Sequence, residues 1–104
     1  MILSKLQKFI LMTCLAKGGR ASREMFYGYY IQTADTPTHD EQVSSITKTL
    51  ERLIDRELMV GYGVRTAHKW YIKEVKLLPA GKRRAKKLLG EQQLLPLVTN
   101  KSIK

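Results

Sequence analysis

Acidic residues are scarce in this chain: nine Asp and Glu stand against nineteen Lys and Arg in 104 residues, a net charge of +10. A field of that sign favours a polyanionic partner, either nucleic acid or an anionic membrane surface, and also serves solubility. Cysteine is nearly absent. Cys14 stands alone, which excludes an internal disulfide, and with His39 and His68 as the two histidines no clustered Cys/His zinc spacing can be written. No metal or other cofactor is expected. Cys14 reads as a small buried thiol in a reducing cytoplasm.

Long apolar runs are missing as well. The stretch from Phe9 to Ala16 is interrupted by Thr13 and bracketed by Lys8 and Lys17, and a bilayer-spanning helix needs about 20 apolar residues. No transmembrane helix is expected. Lys5 and Lys8 ahead of this stretch, with Cys14 near its end, faintly imitate a secretory or lipoprotein signal. Thr13 is a poor residue before a lipidated cysteine, and the stretch fits better as the first helix of a domain. Catalytic signatures are lacking too. There is no nucleophile elbow and no Walker loop, and Gly61-Tyr62-Gly63 lacks the third glycine of a dinucleotide site. His39 and His68 fall in expected loops with no partner acid, so no catalytic residues are assigned and an enzyme is not expected.

What is present suits one folded domain: 104 residues with 43% apolar content can bury an ordinary core. The charge is unevenly placed. Residues 1–64 carry eight basic and seven acidic side chains, and residues 65–104 carry eleven and two. Residues 1–90 are expected to form the domain, and 91–104, broken by Pro96, a partly ordered arm.

Ser4 can cap a first helix running to about Lys17, where Gly18 and Gly19 stop it. Its apolar residues Leu6, Phe9, Ile10, Leu11, Met12, Cys14 and Leu15 exceed a single packing stripe. Burial from two sides would follow, by the domain core and by a second subunit, or else by the chain's own wrapping. Ser22 opens a short second helix, Arg23 to Ile31, with Met25, Phe26, Tyr29 and Tyr30 as its anchoring bulk and the aromatics Phe26, Tyr27, Tyr29 and Tyr30 read as core rather than as the lining of an effector pocket. The polar run from Gln32 to Thr38 is a loop. Asp40 is then the expected cap of a third helix, Glu41 to Leu58. There Val43, Ile46, Leu50, Leu53, Ile54 and Leu58 make one core stripe. Ser44, Ser45, Lys48, Arg52 and Arg56, with Thr49 at the edge, make a small and basic opposite face. Two extended segments, Met59 to Tyr62 and Trp70 to Leu77, flank a polar basic tip and form a β-hairpin. Alternation puts Trp70, Ile72 and Glu74 on one side and Tyr71, Lys73 and Val75 on the other. Pro79 starts a last helix through about Gly90, with Ala85, Leu88 and Leu89 inward.

The segment SSITKTLERLIDRELMVGYGVRTAHKWYIKEVKLLPAGKRRAKKLL, Ser44 to Leu89, resembles the recognition helix, wing and final helix of MarR-like and PadR-like transcriptional regulators. Small archaeal, viral and plasmid winged-helix proteins share the pattern. The points of likeness are Leu50, Leu53, Leu58 and Met59 at the helix end, and Leu77-Leu78-Pro79-Ala80-Gly81 after the wing, where Leu78 replaces the family's threonine. The resemblance implies an α+β winged helix-turn-helix fold and a homodimer that binds double-stranded DNA sequence-specifically, as a transcriptional regulator.

A major groove about 12 Å wide accepts one helix. Ser44, Ser45, Lys48, Thr49 and Arg52 are the candidates to reach bases or phosphates from it. Arg65, Thr66, His68 and Lys69 at the hairpin tip resemble a wing on the minor groove or backbone. Ser22 and Arg23 could hold a phosphate at the start of the second helix, or Ser22 could merely cap it. The run Lys82 to Lys87 reads mainly as a solvated face. Two other readings stay open: a winged-helix protein adaptor using the first and last helices, and a replication, partition or RNA-associated factor.

Overall fold

Ser4 does what its position suggests. Its hydroxyl accepts the Gln7 amide at 3.1 Å while the Gln7 side chain accepts the Ser4 amide at 2.8 Å, a reciprocal capping box that starts α1, Lys5–Ala16. The computed structural model describes residues 3–31 and 36–94, with side chains as far as 90. The expected loop therefore lies partly, and the expected arm mostly, outside the described residues. α1 ends where two glycines take up left-handed conformations, Gly18 at φ 82° and Gly19 at φ 99°. The Gly19 amide turns back to the Cys14 carbonyl at 2.7 Å, which satisfies a terminal acceptor of the helix.

The chain then enters a strand that the sequence reading did not contain: β1, Arg20–Ser22. Three residues carry too little alternation to reveal a strand. Ser22 is thus the last residue of an edge strand, directly before the helical segment. The segment Arg23–Ile31 is helical as expected, but it is a 3-10 helix, a form with poorer hydrogen bonds held by packing. Phe26 and Tyr30 are buried there, and the Tyr29 ring meets Phe9 edge-on at 5.4 Å between centroids. Phe26 and Tyr30 are thus core as expected, Tyr27 and Tyr29 pack against it only partly buried, and Met25, expected as an anchor, is exposed.

α2 spans His39–Asp55. Its cap is Thr38, with Glu41 closing the capping box, so Asp40 lies inside the first turn. Thr38 outcompetes Asp40 because it stands three residues before Glu41, the spacing the reciprocal box demands. His39, expected in a loop, is the first helical residue. Ile46, Leu50 and Leu53 are fully buried, confirming the apolar stripe. The helix stops three residues short of the expected Leu58. Glu57 adopts φ 63°, an uncommon conformation for a residue with a β-carbon, and the turn it makes swings Leu58 into the core.

Strands β2, Met59–Arg65, and β3, Trp70–Leu77, form the hairpin, and β1 adds to its other side to give the antiparallel order β1-β3-β2. The pairing slips once. Tyr62 faces Glu74 and Gly63 faces Ile72, leaving Lys73 as an extra residue in β3, a β-bulge. Alternation therefore changes phase within the strand, and Ile72, Val75 and Leu77 all point inward. The expectation that Val75 shares a side with Tyr71 and Lys73 fails for this reason. Gly63 is required here because a β-carbon would overlap the Tyr71 carbonyl oxygen.

α3 runs Pro79–Leu94, past the expected end at Gly90, and packs along α1 with Ala85 buried. Leu89, expected inward, is exposed, whereas Leu88 packs against the core. The core itself joins Ile10, Leu11 and Cys14 of α1 to Phe26, the α2 stripe, Ile72, Val75 and Leu77. Burial pushes the Cys14 thiol from the ordinary 9.0 up to about 12, because the thiolate would sit in apolar surroundings. Labelling of Cys14 by a thiol reagent at neutral pH is accordingly expected to track global unfolding in a denaturant series. Rapid labelling of the native protein would contradict the packing. The same shift costs stability between about pH 9 and 12, where the unfolded chain releases the proton and the folded chain retains it.

Candidate nucleic-acid interface

The outward face of α2 and the inner side of the hairpin enclose a cleft of about 520 Å³, lined in part by Ser44, Lys48, His68, Lys69 and Trp70. Four expected site residues, two from the helix and two from the tip, are thus brought together. Trp70 forms one wall, and the Arg65 guanidinium lies 4.5 Å from its ring centroid, a cation–π contact that holds the arginine against the hairpin.

The tip is tied by a single side chain. The Thr66 hydroxyl lies 3.0 Å from the Lys69 carbonyl oxygen and accepts the Lys69 amide at 3.0 Å, and the Thr66 amide reaches the same carbonyl at 2.7 Å. Expected at DNA, this hydroxyl instead fixes the turn. His68 and Lys69 are left exposed beside it.

The other helix residues lie apart. Thr49 and Arg52 line a second cleft with Leu3, Ser4, Gln7 and Arg56, between α2 and the start of α1. The Thr49 hydroxyl donates to the Ser45 carbonyl at 2.7 Å, so it is engaged along the helix. Ser45 and Arg52 are exposed. The face is also less basic than expected. Within His39–Asp55 the acids Asp40, Glu41, Glu51 and Asp55 outnumber Lys48 and Arg52, and Asp40 and Glu51 line the wing cleft. Sequence reasoning passed over Asp40, Glu51 and Trp70. The first two sit next to core positions on the helical wheel, and the signal that could have found them was their one-turn spacing from Ser44 and Lys48.

Arg23, expected at a phosphate, turns into the fold. Its guanidinium donates to the Ile72 carbonyl at 3.0 Å, the Val43 carbonyl at 3.2 Å and the Thr47 hydroxyl at 2.7 Å. One side chain therefore links the 3-10 helix, β3 and α2, and it sets the helix against the wing. Arg23→Met is expected to cost about 2 to 3 kcal/mol, roughly 1 kcal/mol per lost bond. Chemical denaturation measures this, and a variant as stable as the parent would show the link to be idle.

The helices, the three-stranded sheet and the protruding hairpin make up the winged helix-turn-helix fold. Solved structures agree. The adhesin competence repressor of Streptococcus pyogenes superposes with a TM-score of 0.62 at 17% identity, over 92% of this chain and 62% of that one. A mutant of Lactococcus lactis ZitR gives 0.53 at 18% identity, over 95% and 64%. A mutant MarR from E. coli, solved in complex with operator DNA, gives 0.50 at 13% identity, over 95% and 66%. The chain thus spans less than two thirds of the length of each of these structures. By sequence, no protein-family model and no curated protein matches it. Among the described residues no helix is long and apolar enough to cross a membrane.

Proposed function

We propose that this chain is a transcriptional regulator that binds duplex DNA and acts without catalysis in the cytoplasm, with α2 in the major groove and the hairpin tip on the adjoining backbone or minor groove. The observation that carries this reading is the cleft in which Ser44 and Lys48 face His68 and Lys69. A helix and a basic protrusion side by side suit a groove and its phosphate rim. Asp40 and Glu51 have a place in it, since a carboxylate can accept from the cytosine N4 amine. The DNA complex of the structurally similar MarR from E. coli supports the assignment.

The protein acts as a homodimer in this reading. Phe9 and Met12 are half-buried on α1 and line a groove with Lys5, Lys8, Ala16 and Tyr29, and α3 lies against the same helix. A second copy would cover that groove, with residues 1–90 as the binding domain and 91–104, whose first residues continue α3 to Leu94, as its arm. Two-fold symmetry then requires half-sites about 34 to 36 Å apart.

One titration tests the reading. Duplex affinity, measured at several ionic strengths, is expected to fall with a log–log slope of about −0.9 per neutralised phosphate. A second reading, a winged-helix protein adaptor, is favoured by the acids that balance Lys48 and Lys69 in the cleft. Weak, salt-insensitive association with duplex would favour it instead.

A further inference from the structure

The sheet has a second face, turned away from α2, and it carries chemistry that duplex binding does not use. On it Tyr62, Val64 and Tyr71 are 43%, 54% and 47% exposed. The bulge at Lys73 puts them together. With unbroken pairing Tyr71 would oppose Arg65 on the inner side, whereas the extra residue sets Tyr71 opposite Val64, on the face that Tyr62 shares by alternation. Cations surround the pair. The Arg20 guanidinium is 5.0 Å from the Tyr62 ring centroid and the Lys69 ammonium 5.1 Å from that of Tyr71. Lys76, opposite Arg20 and in phase with Tyr62, is exposed on the same face. Glu74, the acid of this sheet among its described residues, is engaged by Arg20 at 2.8 Å.

We propose that this outer sheet face binds single-stranded nucleic acid, with Tyr62 and Tyr71 as stacking platforms for unpaired bases and Arg20 and Lys76 along the phosphates. The charge excess selects a polyanion, and the exposed rings decide which kind. A duplex hides the faces of its bases within its own stack and offers this surface only phosphates, to which a tyrosine ring and a valine contribute little. A single strand presents both phosphates and free π-faces, and stacking on an aromatic side chain tolerates any base. The two rings lie diagonally across neighbouring strands, at a spacing of roughly 7 to 8 Å for such pairs, so successive bases of an extended strand can use both.

This site adjoins the cleft between α2 and the tip and has Lys69 in common with it, and the experiment keeps the two apart through the residues they do not share. Oligo-dT, oligo-U and a duplex are titrated against the parent, Tyr62→Ala, Tyr71→Ala and the double variant. Each alanine is expected to weaken single-strand binding roughly tenfold or more; Tyr62→Ala, which has no contact with the tip lysine, should leave duplex binding unchanged, whereas Tyr71→Ala also frees Lys69 and is compared by its larger loss toward the single strand. Tyr62→Phe and Tyr71→Phe retain the rings and should bind as the parent does. Lys48→Ala should reduce duplex binding and spare the single strand. Photo-crosslinking of a bromodeoxyuridine strand to the unaltered protein is expected to label Tyr62 or Tyr71, which covers the case of an alanine variant that fails to fold. Crosslinks confined to α2, or a folded double variant that binds oligo-dT like the parent, would overturn the proposal.

Discussion

Gly81→Ala is expected to lower the melting temperature by about 10 to 20 °C, from a destabilisation of about 2 to 3 kcal/mol in a domain of this size. Gly81 is buried in the first turn of α3, and a β-carbon there would overlap the carbonyl oxygen of Leu58. That carbonyl accepts the Leu78 amide at 3.0 Å, so it is held from the other side and cannot easily yield. The first turn of α3 would have to lift, which loosens Ala85 and the α1 seam together. Gly90 is the internal control. Nothing lies within 4 Å of a β-carbon built there, so Gly90→Ala should stabilise the helix by about 0.5 to 1 kcal/mol. Thermal melts followed by circular dichroism compare the two, and equal melting temperatures would refute the close approach of α3 to Leu58.

The second large effect concerns affinity. Lys48→Ala and Arg52→Ala are each expected to weaken a specific duplex complex by about 1 to 3 kcal/mol and to relax preference at one base position, while Lys69→Ala weakens all sequences about equally. The structure distinguishes the two helix residues. Lys48 faces the wing across a shared cleft, whereas Arg52 borders the cleft toward α1. Base-resolved binding profiles should therefore place their footprints on different parts of the site. If all three variants bind duplex as the parent does, the groove assignment is wrong.

Much of the fold could be read from the residues. The α2 stripe of Ile46, Leu50 and Leu53 is a strong periodic signal, and Gly18-Gly19 marks the end of α1 because two left-handed residues in succession are costly without glycine. The misreadings have local causes. β1 is too short to show a pattern, and its existence depends on Leu77 and β3 being within reach, a tertiary fact. The bulge at Lys73 is invisible to strict alternation, although Gly63 across from it was a hint. The candidate site was legible in parts. Lys48, His68 and Lys69 stood out by charge, and their meeting in one cleft depends on how the hairpin folds over α2. Arg23 misled for the opposite reason, since an arginine at a helix start suggests an anion until its donors are traced to Ile72, Val43 and Thr47.

The knot of bonds around Thr66 bears on how quickly and how tightly any partner is met. Because one hydroxyl and two amides already define its shape, the tip has little disorder left to surrender on contact, and the entropy lost in docking is correspondingly small. The hairpin behaves as a cantilever rather than a tether. Thr66→Gly would leave its charges in place yet let them wander, slowing productive encounters without altering the net attraction.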